Sequence, residues 1–346
     1  MSGKSLKDFA AVEAVESDVR AALNRALREN AKIKASRADL VDAVYRAVSD
    51  NVKALALPPV KAPTPDARKR SAEVAVAMVG DWQLGKKTPT YDSAACEKRI
   101  EEYAEKVSIL TEIQRADHPV KELHVWMLGD MVEGINIFPG QSWLVDSSLY
   151  RQVALDGPRI MGNFLRSMLA QFEKVHVTAV IGNHGRLGRW GEYDPESNSD
   201  RMLYRITQQL LADEKRLTWD IPDGMGERHW YAVDRIGNYS CLLFHGDQLG
   251  GRLQGALTII GAKRKISGWM SGAIQEPFKD VAFGHWHQLA EIPIIGASVA
   301  RCNGSPESDN TFAQEALAAV SKPSQRLMYV HPGKGIVSAE HKVWLT

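Results

Sequence analysis

The stretch "AEVAVAMVGDWQ", Ala72–Gln83, runs through an apolar segment into Gly80 and then Asp81 and Gln83. A short, nearly continuous apolar run bounded by glycine reads as a strand buried on both faces, the pattern of a sheet covered by helices. Glycine lets the chain turn sharply and lets neighbours approach closely. A carboxylate placed just beyond it stands at a rigid strand end, where α/β sheets build their sites.

The same design recurs downstream. "ELHVWMLGDMVE" ends on Asp130 and Glu133, and "VHVTAVIGNHG" on Asn183 and His184. "YSCLLFHGD" ends on His245, and "DVAFGHWH" on His285 and His287. Between the early strands lie helical segments over Ser93–Gln114, Pro158–Phe172 and Asp200–Leu211, the second with proline in its first turn. After about residue 216 strands crowd together as "RHWYAV", "YSCLLF", "DVAFG", "AEIPII", "RLMYV" and "IVSAEHKVWL". The pattern predicts an α/β fold, a four-layer β-sandwich of two mixed sheets flanked by helices.

Residues 1–70 read differently. They hold 14 basic and 9 acidic residues, against 29 and 33 in the rest of the chain. Helical spacing over Val12–Leu27 and Leu40–Val52, with a capping-box signature at Ser36–Asp39, predicts an N-terminal helical hairpin over 1–55. A proline-rich basic linker over 56–71 and the main domain over 72–346 follow. The arm reads first as a packing or homo-oligomerisation element and second as a DNA-binding arm. Cys96, Cys241 and Cys302 are widely spaced, which excludes a disulfide framework and a thiolate zinc site. No apolar run suits a bilayer or a signal peptide, so the expectation is a cytoplasmic protein without a membrane partner.

Taken singly, each strand-end stretch is weak, since "GD" is common and an isolated histidine is usually structural. Together they supply carboxylate, amide and imidazole donors without thiolate, a set suited to manganese, iron, zinc or cobalt. Two divalent ions bring +4 and Asp81 with Asp130 brings −2, leaving about +2 to meet a phosphate ester. A water bridging such ions loses a proton near neutral pH and serves as nucleophile. Residues two apart on an extended segment point the same way, so His285 and His287 are expected to reach one cluster.

Over residues 73 to about 305 the five motifs, in order, resemble the calcineurin-like metallophosphoesterase superfamily. The resemblance implies a β-sandwich with two metals at the strand ends, manganese foremost. It implies Asp81, Asp130 and His287 on the first metal, and Asn183, His245 and His285 on the second, with Asp130 bridging. His184 then contacts the phosphate and helps the leaving oxygen depart. Gln83 stands where the family usually has histidine, which implies either a weaker first metal or a glutamine that only supports the ligands. Gly185 and Arg186 follow "GNH" where relatives often have an acid. Glu133 is the candidate to orient His184 and raise its proton affinity.

Arg186, Arg189 and Trp190 follow His184, Phe138 and Trp143 follow Asp130, and Lys263, Arg264, Lys265 and Trp269 follow His245. Cations beside aromatics suit a nucleic-acid strand. The favoured expectation is a phosphodiesterase or DNA nuclease, similar to the DNA-repair nuclease subunit of the SbcCD type, whose ATPase partner the sequence leaves open. The alternatives are a phosphomonoesterase for phosphoprotein or nucleotide on the same core, and a non-catalytic binding scaffold.

Overall fold

The computed structural model describes residues 28, 46, 57–68, 71–135, 137–138, 140–249, 258–309 and 322–346. The expected hairpin over 1–55 falls outside these apart from two isolated positions. Within the expected linker, residues 57–68 take no regular structure but are tacked to the main body. Val60 donates to Glu214 Oε1 (2.7 Å) and accepts from Arg216 (3.0 Å), and the Asp66 amide donates to Glu173 (3.1 Å).

Two mixed sheets form the centre. The first has strand order β11-β10-β1-β2-β3-β4, built from β1 (Glu73–Val79), β2 (Val120–Met127), β3 (Lys174–Ala179), β4 (Leu217–Asp220), β10 (Ser324–His331) and β11 (Ile336–Trp344). β1 to β4 run parallel, and β10 and β11 join antiparallel. The second sheet has order β5-β6-β7-β9-β8, from β5 (Tyr231–Ile236), β6 (Tyr239–Phe244), β7 (Asp280–Phe283), β8 (Ala290–Pro293) and β9 (Val299–Cys302). β6, β7 and β9 are parallel neighbours. β4 and β9 go beyond the expected strands.

Alternation along the strands separates the layers. Val74, Val76, Met78, Trp126, Met328 and Val330 of the first sheet pack on Ala232, Ile236, Cys241, Leu243 and Ala282 of the second. The opposite face of the first sheet is covered by α1 (Ser93–Arg115), α2 (Gly157–Gln171) and α3 (Ser199–Leu210). There Phe164 of α2 stacks on Tyr103 of α1 (6.1 Å) and meets Trp82 edge-on (6.5 Å). The outer face of the second sheet packs on α4 (Ile259–Gly268) through Ala262 and Ile266, joined by Trp269. The order helix–sheet–sheet–helix follows. All three cysteines are buried and free, and among the described residues no helix is long and apolar enough to cross a membrane.

A polar bridge between β2 and β5 crosses the sandwich. His124 and Trp126, on one face of β2, both approach Asp234 Oδ2 of β5 at 2.6 Å. His176, in register with His124 on β3, lies with its ring 5.0 Å from that of His124 and binds Thr218 through Nδ1 (2.8 Å). Burial opposes protonation of His124, but Asp234 and Glu122 outweigh it and raise the imidazole to about 9. Burial and the neighbouring His124 push His176 down. A raised histidine stabilises the fold fully below its ordinary value of 6.5 and loses that contribution as pH rises through about 9. The stability gap between the native protein and His124→Gln, roughly 3 kcal/mol near pH 6, should shrink between pH 6.5 and 9 in urea titrations with EDTA. A gap that stays constant over this range would remove the bridge from the stability account.

Candidate metal centre

The parallel strands β1, β2 and β3 of one sheet and β6 and β7 of the other end side by side. Beyond those ends stand Asp81, Gln83, Asp130, Asn183, His184, His245, His285 and His287. Backbone hydrogen bonds stitch the exits together: Leu128 N to Val79 O (2.8 Å), Asp81 N to Gly129 O (2.9 Å) and Gly284 N to His245 O (2.7 Å).

The backbone there is strained. Among the described residues six non-glycine positions have positive φ, and five are Asp81 (51°), Gln83 (42°), Asp130 (52°), His285 (71°) and His287 (54°). The left-handed region costs a non-glycine residue roughly 1–2 kcal/mol, and such outliers concentrate at functional sites. This corrects the expectation that His285 and His287 share one extended segment. The chain bends at both, and each ring faces a different part of the centre. Two glycines make room for carboxylates. A Cβ on Gly182 would lie 2.1 Å from Asp130 Oδ1, and one on Gly284 would lie 2.3 Å from Asp81 Oδ2.

Around His245 the acceptors crowd together. Nδ1 contacts the Leu128 carbonyl at 2.8 Å, a contact that requires Nδ1 to carry the proton. Nε2 then faces Asp130 Oδ2 at 2.9 Å, Asn183 Oδ1 at 3.0 Å and His285 Nδ1 at 3.1 Å. His245 and Asp130 are buried, and Asp130 Oδ2 has no hydrogen-bond donor. Four lone-pair donors aimed at one another call for positive charge between them. With protons alone to supply it, burial would lower His245, yet Asp130 holds it up at about 10. Burial likewise opposes the charged form of Asp130, and His245 and His184 pull its acidity the other way. His285 is driven low by burial and by His245. Asp130, His245 and His285 are close enough to hold one cation, and their donor types suit a divalent transition metal. His124, His176 and Asp234 form the other such group among the described residues. It lies between β2, β3 and β5, away from the strand ends, and its carboxylate already receives the Trp126 donor.

The Asp81 side is built differently. His287 Nε2 lies 3.4 Å from Asp81 Oδ1 and 3.4 Å from Gln83 Nε2. The Gln83 carbonyl does not face the centre: Oε1 accepts from Lys86 Nζ at 2.7 Å. Lys86 also pairs with Glu307 (2.8 Å), whose other oxygen lies 2.8 Å from His287 Nδ1. Lys86 and Glu307 are both buried. Burial resists the Glu307 charge, but Lys86 and His287 bring the carboxyl down to about 2.

His184 links the halves. Its amide donates to Asp130 Oδ1 (2.7 Å), and its Nε2 lies 4.0 Å from Asp130 Oδ2. Its Nδ1 sits 3.1 Å from both the carbonyl and the carboxylate of Glu133. Burial lowers its proton affinity, but Glu133 and Asp130 outweigh this and raise it to about 9. Arg186 pairs with Asp247 (2.5 Å) and lies 4.5 Å above the Trp190 ring. Arg189 is exposed, as are Trp190 (77%) and Trp143 (86%), while Phe138 meets His184 edge-on at 6.0 Å. Trp269 instead packs in the core against Phe244 (5.0 Å) and Trp230 (5.3 Å), which removes it from the expected nucleic-acid surface.

Three supporting residues escaped the sequence reading. Asp200, at the start of α3, accepts from the amides of Asp130 (2.9 Å), Met131 (3.0 Å), Val132 (3.3 Å) and Gly182 (2.8 Å) and so ties two ligand loops together. Its helix-start position after the Asn198 cap was visible, but not its partners. Lys86 follows Gln83 closely enough to have been considered. Glu307 arrives from the far end of the chain with no local signal.

No protein-family model matches the chain, and no curated protein matches it. Solved structures overlap it at low identity. A Vps29 single mutant from Entamoeba histolytica is 15% identical, covering 79% of this chain and 99% of that one, with a TM-score of 0.30. A conserved protein from Streptococcus pneumoniae, described as a predicted phosphoesterase, is 12% identical (78% and 98%, TM-score 0.29). A dimetal phosphatase from Danio rerio is 8% identical (79% and 99%, TM-score 0.36). Overlaps of this size leave the reading to the chain's own geometry.

Two substitutions check that geometry. His245→Ala and Gly182→Ala should each weaken manganese uptake by about 10-fold or more, measured by calorimetry, with the circular dichroism spectrum retained. Undiminished uptake in both would place the cation elsewhere.

Proposed function

We propose that this protein is a metal-dependent phosphoesterase that hydrolyses phosphodiesters, with DNA the favoured substrate. The observation that carries the reading is the convergence of Asp130, Asn183, His245 and His285 on one point without a donor between them, with His184 beside it. A divalent cation bound there supplies Lewis acidity toward a phosphoryl oxygen and acidifies water. The side chains do the rest. Asp130, Asn183, His245 and His285 hold the charge in place on a backbone too constrained to relax. His184, oriented through Nδ1 by Glu133, whose charge favours the imidazolium form, presents Nε2 toward the reacting group and can donate a proton to the departing oxygen.

Diester rather than monoester turnover is favoured by what surrounds His184. Phe138 lies against it, and Arg186, two residues on, sits over the exposed Trp190 ring, an arrangement suited to a stacked base beside a phosphate.

The reading is tested with manganese and four substrates: bis-p-nitrophenyl phosphate, p-nitrophenyl phosphate, single-stranded DNA and double-stranded DNA. Diester and DNA cleavage are expected. Turnover of the monoester alone would transfer the assignment to a phosphatase, and no turnover with any metal would leave a binding scaffold. Asp130→Asn and His184→Ala should each lower kcat by about 100-fold or more. Trp190→Ala should raise KM for single-stranded DNA about tenfold and leave the small diester unchanged.

The Glu133 charge favours the imidazolium form of His184, so its removal lowers the pH at which that proton is lost. Glu133→Gln should therefore move the alkaline limb of the kcat profile to lower pH. An unmoved limb would separate Glu133 from the proton donor.

A further inference from the structure

Two cations are what the sequence resemblance implies, but the two halves of the centre are unequal. Near His245 four lone-pair donors converge. Around Asp81 and His287, among the described residues, no third His, Cys, Asp or Glu completes a comparable group. The remaining side chain there is Gln83, and its orientation is dictated from behind. Lys86 Nζ has only hydrogens to offer, so the atom 2.7 Å from it must be the carboxamide oxygen. The NH2 group therefore faces inward, 3.4 Å from both His184 Nε2 and His287 Nε2. Turning the amide over would set NH2 against NH3+ in a buried place, a donor against a donor, with the Gln83 oxygen no longer held by Lys86.

Lys86 is itself held. It pairs with Glu307, which also pairs with His287, so Gln83, Lys86, Glu307 and His287 close a ring of contacts on this side. The ring pairs the Lys86 ammonium with the Glu307 carboxylate and turns two N–H bonds of Gln83 inward where a second cation would need a lone pair. Inward N–H bonds suit an anion, and an anionic oxygen is what a phosphoester presents.

We propose that the centre holds a single divalent cation tightly, at Asp130, Asn183, His245 and His285, and that Lys86 positions Gln83 to donate to a phosphoryl oxygen of the substrate rather than to ligate a second cation. Lys86 is thus a positioning residue and Gln83 a substrate-binding one. The inference rests on the phosphoesterase reading for the identity of the oxyanion, but the cation count stands apart from turnover.

Manganese(II) chloride is titrated into the chelator-treated full chain by calorimetry, with electron paramagnetic resonance recorded at each step. The native protein should take up one tight equivalent, a second binding at least about 100-fold more weakly, without the signal of a coupled manganese pair. Gln83→His restores an inward lone pair and should tighten the second equivalent by about 10- to 100-fold and bring out the coupled signal. Lys86→Gln combined with Glu307→Gln releases the amide without leaving a lone buried charge, and should act in the same direction. Gln83→Ala should raise KM for bis-p-nitrophenyl phosphate several-fold while the tight equivalent keeps its affinity.

Two equivalents of similar affinity in the native protein would overturn the proposal and leave the phosphoesterase reading standing. So would a second equivalent indifferent to both Gln83→His and the double variant, or an unchanged KM in Gln83→Ala. Absence of any manganese binding would overturn the proposal together with the function.

Discussion

The crowding of unshared electron pairs around His245 Nε2 is the constraint from which the rest of the centre follows. A carboxylate, an amide oxygen and a second imidazole nitrogen lie about 3 Å from that nitrogen, with His245 and Asp130 buried and Asn183 and His285 half-buried. Buried acceptors without donors are costly, by about 1–3 kcal/mol for each neutral group and more for a charge. A fold that keeps them together must recover that cost through something positive.

Left-handed backbone at five positions adds to the same cost, on the order of 5 kcal/mol together, comparable with the whole stability of many domains. The loops hold because they are overdetermined. Asp200 gathers four amides from two of them, Ser305 Oγ ties the Asp81 carbonyl (2.7 Å), and Gln325 bonds both the amide (3.0 Å) and the carbonyl (3.2 Å) of Gly80. Parallel strands from both sheets end at this level, so rigid elements, not loop flexibility, set the separations. The His124–Asp234–Trp126 bridge joins the same two sheets further down β2 and β5.

Asymmetry distinguishes this centre from a symmetric pair of ion sites. The His245 side offers lone pairs, and the Asp81 side offers an ammonium-anchored amide. His184 stands between them with Glu133 behind it, where it can act on a group bound across both. The exposed rings of Trp143 and Trp190, the latter under Arg186, stand on the loops that follow Asp130 and His184.

Strand-end periodicity and chemistry were legible from the chain alone. Buried runs ending in glycine located β1, β2, β3, β6 and β7 to within a residue or two, because apolar patterning and turn chemistry are local properties. The same runs pointed to Asp81, Asp130, Asn183, His184, His245, His285 and His287 as residues that could meet, and the structure brings them together. Short β4 and β9 and the basic helix α4 were not legible, because their apolar faces are brief and gain meaning only against neighbours. Nor could the sequence reveal that Gln83 turns its oxygen away from the centre or that Glu307 returns to His287. It could not foretell that His285 and His287 sit on left-handed backbone instead of one extended face. Those features depend on which atoms lie within 3 Å across long stretches of chain, and only the closed tertiary structure decides that distance.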